Sequence, residues 1–137
     1  RLPTLEEWQW AATGGVKSKG FIFAGSDDLE EVAWCKYNSD NQTHEVAQKK
    51  PNELGLYDMS GNVWEMTSTL LIIAPAVIAA NQRAYEDYKR NHEPNKAYYC
   101  GGAFYDGKKA CSANNEGRDS IQWSNKGLGF RVVCDIK

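Results

Sequence analysis

Apolar positions recur at helical spacing only near the start of the chain. Leu5, Trp8 and Ala12 fall on one face, Thr4 and Glu7 stand at capping-box spacing, and Pro3 precedes them. Gly14-Gly15 follows, and glycine takes the left-handed conformation that ends a helix without a Cβ penalty. The pattern predicts a helix over residues 5–12. Further along it breaks up. Residues 21–24 form a short apolar run, a strand or a packed loop. Residues 28–34 have room for one or two helical turns, and 38–48 are polar loop. Residues 62–67 alternate, with Val63 and Glu65 on one face and Trp64 and Met66 on the other, which predicts a strand. An apolar run over 70–80 is interrupted by Pro75, a residue suited to the first position of a helix. Residues 77–89 then read as helix, with Glu86 and Arg90 an i,i+4 pair, and Pro94 closes the stretch. Strand-like runs return at 97–100 and 130–134. Between them, 105–126 is polar and nearly aperiodic.

Composition adds a class. With 137 residues the chain has material for one domain around one core. Its 5 Trp, 7 Tyr and 12 Gly suit a compact fold with more loop than regular structure, since rings supply buried area and glycines supply turns. A net charge of −2 gives no reason to expect nucleic acid or an anionic membrane as partner. The 70–80 run is too short for a bilayer, which takes about 20 residues in a helix, so no membrane insertion is expected. No charged-then-apolar leader opens the chain, but Arg1 is not a natural start, and the compartment stays open. Asn41, Gln42 and Thr43 make a glycosylation sequon of a kind common by chance. The cysteines Cys35, Cys100, Cys111 and Cys134 contain no CxxC, which argues against zinc or thioredoxin-type chemistry. Buried thiols, or one or two disulfides among three pairings, remain.

Three motifs stand in order: RLPTLEEWQWAATGG over 1–15, PNELGLYDMSGNVWEMT over 51–67, and GLGFRVV over 127–133. Together they resemble the sulfatase-modifying-factor domain, the family of the formylglycine-generating enzyme, a variant of the C-type lectin fold. The resemblance covers 1–67 and 100–133 and leaves 68–99 as an insert. It implies a single α+β domain over 1–137, loop-rich, with few helices and a small antiparallel sheet. The apolar half of the insert is expected to cover core surface, so that deleting 69–97 unfolds the protein. The competing use is a subunit interface through 69–97, pairing two copies of the chain.

In DMSGNVWE, two carboxylates flank a glycine turn seven residues apart. Ca2+ takes about six to eight oxygens, mixing carboxylates with carbonyls. The family carries a structural calcium here, and the match gives Asp58 and Glu65 side chains with the Gly61 and Val63 carbonyls. From the residues alone, an Asx-turn at Asp58 and a hydrogen bond at Glu65 fit as well. Gly101-Gly102, in GGAF, matches the family's glycine pair and suits a close backbone approach. In GFR, Phe130 is expected in the core, and Arg131 as a planar donor holding backbone or carboxylate groups inside the fold. The formylglycine-generating enzyme binds copper(I) with two thiolates after the glycine pair. Counting from Gly101, the second position is Cys111 but the first is Asp106. Carboxylate oxygen does not replace a soft thiolate for copper(I). No copper and no enzymatic activity are therefore expected, and Cys111 is read as structural. His44 and His92 stand in polar stretches without nucleophile or acid partners.

One branch of the family is the variable proteins of diversity-generating retroelements, which place a polar and aromatic variable segment between the glycine pair and GFR. Residues 105–126 match that placement. Adenine randomisation of AAC or AAT codons can yield Tyr, Asp, Asn, Ser, Gly or Arg but not Lys, Glu, Gln or Trp. Tyr105, Asp106, Asn114, Asn115, Arg118, Asp119 and Ser120 are compatible; Gln122 and Trp123 must then be fixed. Aromatics give rigid contact area and small polar groups adapt, as in antibody loops. The expected binding residues are these nine, with Tyr105 and Trp123 as anchors and Arg118 and Asp119 as charged specificity contacts. The resulting expectation is a ligand-binding protein recognising a protein or cell-surface ligand, located at a cell or virion surface. The alternatives are a formylglycine-generating-type oxidase and a structural module of a surface assembly.

Overall fold

The computed structural model describes residues 1–70, 96–122 and 124–135. The element order is α1 (Leu5–Ala12), a 3-10 turn (Gly15–Lys17), α2 (Leu29–Val32), β1 (Trp64–Leu70), β2 (Lys96–Cys100), β3 (Glu116–Ser120) and β4 (Leu128–Phe130). Helix α1 starts where expected and for the expected reason. Thr4 accepts from the Glu7 amide while the Glu7 carboxylate accepts from the Thr4 amide. The chain turns off at Gly14, whose φ is 90°. The short α2 is capped by Asp28, which accepts from the Glu30 amide. Residues 21–24 form a packed loop closed by a bridge between Phe23 and Ser26.

The sheet runs β3-β2-β1-β4. β1 with β2 and β2 with β3 are antiparallel, but β4 lies parallel to β1, so the sheet is mixed rather than wholly antiparallel. A register shift between Met66 and Leu70 marks a bulge in β1. β1 reaches Leu70 and β2 starts at Lys96, so both ends of the 68–99 insert belong to the scaffold sheet. The expected 77–89 helix, the core-covering role of 70–80 and the subunit interface over 69–97 fall, beyond these ends, outside the described residues.

Alternation along β1 decides what meets α1. Glu65 and Thr67 are buried while Ser68 and Leu70 are exposed. Thr69 accepts from the Leu5 amide through its hydroxyl, satisfying one of the helix's free amides. Ser68 N–H donates to Pro3 carbonyl at 2.8 Å. Trp8 enters a core of Ala12, Ala24, Met59, Cys100 and Ala113. A second cluster joins Phe23, Leu29, Val32, Ala33, Cys35 and Cys111. All four cysteines are free thiols, three of them buried.

Phe130 is not in the core: it is 71% exposed. In the parallel register it pairs with Met66, and Glu65 pairs with Gly129. Side chains alternate along a strand, so Phe130 points away from the face that holds Glu65, and Arg131 returns to it. The strand itself runs from Leu128 and stops at Phe130, four residues before the end that the 130–134 pattern suggests.

Loops supply most of the chain, and buried polar side chains hold them. Asn52 donates to Ala11 carbonyl at 2.7 Å and accepts from the Leu54 and Leu56 amides, closing the end of α1 and its own loop together. Ser60 accepts from the Ala24 amide and donates to Cys111 carbonyl, and Ser39 donates to Phe104 carbonyl. The 58–62 turn sits at the junction. Gly61 N–H donates to Gly101 carbonyl and Asn62 N–H to Trp34 carbonyl. A Cβ on Gly61 would lie 2.3 Å from Trp34 carbonyl oxygen, at a φ of 76°.

Candidate functional site

The 105–126 segment does not behave as one loose ribbon. Its first part is pinned. Asp106 is a bracket of the fold: one carboxylate oxygen accepts from Trp64 Nε1 at 2.8 Å and from the Ala103 amide at 3.0 Å. Its carbonyl accepts from the Lys36 amide. These bonds hold the carboxylate to Trp64 and to its own turn, a positioning role beyond the contact role expected of it. Tyr105 is half-buried, with its ring edge-on to Phe104 at 4.8 Å. It packs so tightly on Gly127 that a Cβ there would lie 2.5 Å from the ring. Burial, and then the nearby Asp106, push the Tyr105 hydroxyl pKa up.

The segment then dips inside. Cys111 and Ala113 are fully buried, and the Ala113 amide donates to Ile22 carbonyl. Burial, then Asp106, push the Cys111 thiol up to about 12, so it is a thiol and not a thiolate near neutral pH. From there it rises to the surface. Asn114, Arg118, Asp119 and Gln122 are exposed, and Asn115 and Ser120 are half-buried. Part of this stretch is β3, a strand that the polar sequence hides. Its exposed charges follow from its place at the sheet edge, where Glu116, Arg118 and Asp119 discourage further strand pairing. Arg118 lies over the Tyr98 ring, 5.1 Å from its centroid, and reaches Glu116. Asn115 donates to Ala110 carbonyl, and Ser120 carbonyl accepts from the Tyr99 hydroxyl. Trp123 lies outside the described residues. The structure thus places Arg118 and Asp119 at consecutive positions of β3, where their side chains leave opposite faces of the sheet, with Gln122 just beyond and Asn114 before that strand. Tyr105 and Asp106 sit among the supports.

Residues far away in sequence lie against residues 107–110 and Asn115 of this segment. Lys36 and Tyr37 border it beside Gly107, where a Cβ would come 3.0 Å from Lys36 Cε and 3.3 Å from the Tyr37 hydroxyl. Their one signal in the sequence is Tyr37, an aromatic ring in a polar stretch, which proves 52% exposed.

The residues expected to hold calcium serve two purposes. Glu65 is buried and accepts from Trp8 Nε1 at 2.6 Å and from two nitrogens of Arg131, one of which also reaches Tyr57 carbonyl. Arg131 therefore holds a buried carboxylate and, at the surface, the Tyr57 carbonyl, and Trp8 is a partner that sequence spacing does not reveal. Asp58, at a φ of 57°, accepts from the Ala47 amide with one oxygen. Its other oxygen is buried without a hydrogen-bond partner. An orphaned carboxylate oxygen beside a glycine turn fits a hard cation, whereas Glu65 has its charge already matched by guanidinium. Among the described residues no cluster of three or more His, Cys, Asp or Glu could hold a metal.

Comparison with known proteins bears on the whole scaffold. The sulfatase-modifying factor enzyme 1-like domain matches residues 1–136, across the 68–99 insert as well. Over 82 residues the chain is 46% identical to chaperone protein LppX of Paenibacillus barcinonensis, covering 47% of this chain and 29% of that protein. It is 27% identical over 148 residues to the formylglycine-generating enzyme of Mus musculus, covering 98% of this chain and 39% of the enzyme. In three dimensions it is similar to Treponema denticola variable protein 1, with a TM-score of 0.73 and 29% identity, over 95% of this chain and 45% of that one. The chain spans less than half the length of each. With its motifs and its sheet matched in this way, the chain belongs to the sulfatase-modifying factor enzyme 1-like family and has that family's C-type-lectin-like α+β fold.

Proposed function

We propose that this domain is a ligand-binding module in the manner of the retroelement variable proteins, presenting residues 105–126 to a protein or cell-surface ligand. The observation that supports it most is the likeness to Treponema denticola variable protein 1 over 95% of the chain. The exposed set Asn114, Arg118, Asp119 and Gln122 is consistent with it, since these side chains stand on buried anchors and face solvent. Pre-placed side chains lose less freedom on binding than a free loop would. A surface location, of a cell or a virion, goes with the same reading.

The test has a genetic and a biochemical arm. Flanking DNA should hold a near-copy of the coding region for 105–126 that differs at adenines, beside a reverse transcriptase. A screen of displayed cell-surface ectodomains should return a ligand. The triple variant Arg118→Ala/Asp119→Ala/Gln122→Ala should lose it at unchanged melting temperature. Retained binding by the triple variant would remove 105–126 from the interface.

The oxidase alternative draws on the likeness to the mouse enzyme over 98% of the chain. Against it stand Asp106, committed to Trp64 and Ala103, and the buried protonated Cys111. Copper(I) binding abolished by Cys111→Ala, with oxygen-dependent oxidation of a cysteine peptide, would establish it instead.

A structural calcium on the 58–65 motif is part of the same proposal. The unpartnered Asp58 oxygen supports it; the Gly61 and Val63 carbonyls are the further ligands that the motif match implies, while Glu65, held by Trp8 and Arg131, has one lone pair of Oε1 left to offer. Calcium should raise the melting temperature of the chelator-treated protein, because a ligand bound only by the folded state adds about 2.7 kcal/mol at a hundredfold excess over Kd. Asp58→Asn should remove that response. A melting temperature indifferent to calcium would leave Asp58 as the acceptor of the Ala47 amide alone.

A further inference from the structure

Two open depressions of about 510 and 580 Å3 lie side by side and share Lys108, Lys109 and Asn115 as walls. One extends to Ile22 and Phe23; the other extends to Lys36, Tyr37 and Trp64. The Lys36 amide bond to Asp106 carbonyl and the bare Gly107 bring the three lysines to one face across some 70 residues of sequence. None of the three ammonium groups has an ion-pair partner among the described residues. The acids closest at hand, Asp106 and Asp27, accept from Trp64 and the Ala103 amide and from the Ile22 amide, neutral donors that do not cancel a carboxylate's charge. Three ammonium groups therefore outnumber two carboxylates here, a local excess of positive charge on a chain whose net charge is −2.

We propose that this face recognises an acidic polypeptide segment. Its carboxylates would lie among Lys36, Lys108 and Lys109, and a neighbouring apolar or aromatic side chain would lie against Tyr37. Lysine is a compact charge on a flexible stem and pairs with carboxylates without demanding one geometry. Tyr37 supplies exposed ring area beside them, with Lys36 Nζ 5.1 Å from the ring centroid. A long polyanion fits worse, because a nucleic-acid track needs a run of cations. Here Asp27 lines one end of the patch, and Glu116 follows Asn115 in the wall that the two depressions share. The inference rests on the ligand-binding reading of 105–126 and names its partner class. It adds Lys36 and Tyr37, which stand outside that segment.

Fluorescence anisotropy decides it, with three labelled peptides alternating Tyr with Glu, with Ser or with Lys, and a single-stranded oligothymidine. The Tyr-Glu peptide should bind best and weaken as salt rises. The variant Lys36→Glu/Lys108→Glu/Lys109→Glu should lose about tenfold or more in affinity, while Tyr37→Ala should weaken binding without changing the salt dependence. Equal binding of Tyr-Ser and Tyr-Glu, or of the oligothymidine, would overturn the acidic-segment assignment. So would undiminished binding by the charge-reversed variant. If no probe binds, this inference fails alone. The ligand-display reading falls only if the ectodomain screen and the flanking DNA also return nothing.

Discussion

Glu65, Arg131 and Trp8 form the residue-scale knot of the fold. Glu65 is buried and charged, and it is tolerable there because a guanidinium and an indole N–H both donate to it. Removing one partner leaves a buried charge without its match, which costs about 3–5 kcal/mol. Arg131→Met should therefore destabilise the protein by about 3 kcal/mol, since its side chain is 26% exposed and water offsets part of the loss. Glu65→Gln/Arg131→Met should lose less than the sum of the two singles. Urea unfolding of the four proteins reads the coupling, and strict additivity would mean the pair does not act as a unit. Gly61 is another residue with no latitude. Its φ of 76° and the 2.3 Å approach of Trp34 carbonyl oxygen leave no place for a methyl group. Gly61→Ala should cost about 1–3 kcal/mol or more, read in the same way. Gly20, also at positive φ but with open space around it, should tolerate alanine better.

At the scale of elements, α1 is fixed by local rules and then tied to both ends of the described chain. Arg1 pairs with Glu7 at 2.7 Å and with Asp135 at 2.7 Å, and Val133 N–H donates to Arg1 carbonyl. The Arg1 hydrogen bonds, and then the Thr4 amide, hold the Glu7 carboxyl near a pKa of about 2. Asp135 is lowered by Arg1 as well. A depressed carboxyl pKa stabilises the fold above the unfolded value of about 4.5, and the contribution is lost as pH falls toward about 2. Glu7→Gln keeps a capping-box acceptor but not the charge. Melting temperatures between pH 5 and pH 2 should fall more steeply for the unaltered protein, and the two curves should converge at the acid end. Both partners are well exposed, so the gap should be small and shrink with salt. Parallel curves would mean that the ion pair contributes nothing.

At the scale of the molecule, loops outnumber elements among the described residues, and side-chain bridges such as Asn52, Ser60 and Ser39 tie those loops together. This explains how a single chain can present an irregular face. Cys111 and Ala113 enter the core and hold the segment at its middle, while Asn114, Arg118, Asp119 and Gln122 stay in water. Substitution among the exposed set should therefore shift stability by no more than about 0.5 kcal/mol, measurable by thermal melts of single alanine variants. Cys111→Ser should be far more damaging, since it buries a hydroxyl where a thiol packs against Gly102.

What the sequence alone determined is local or carried by motif. The capping box and the two glycines set α1, because their partners lie within a few residues. The three motifs set the family and the fold, and Arg131 announces a buried acceptor by its place in GFR. The tertiary structure alone decided the rest. It made the sheet mixed by laying β4 parallel to β1, and it made β3 out of a polar stretch because an edge strand needs no apolar alternation. It turned Phe130 outward by register and bound Asp106 to Trp64. It joined Lys36 to Lys108 and Lys109. Each of these depends on which strands and loops become neighbours, and that is fixed by packing across dozens of residues, beyond the reach of any local pattern.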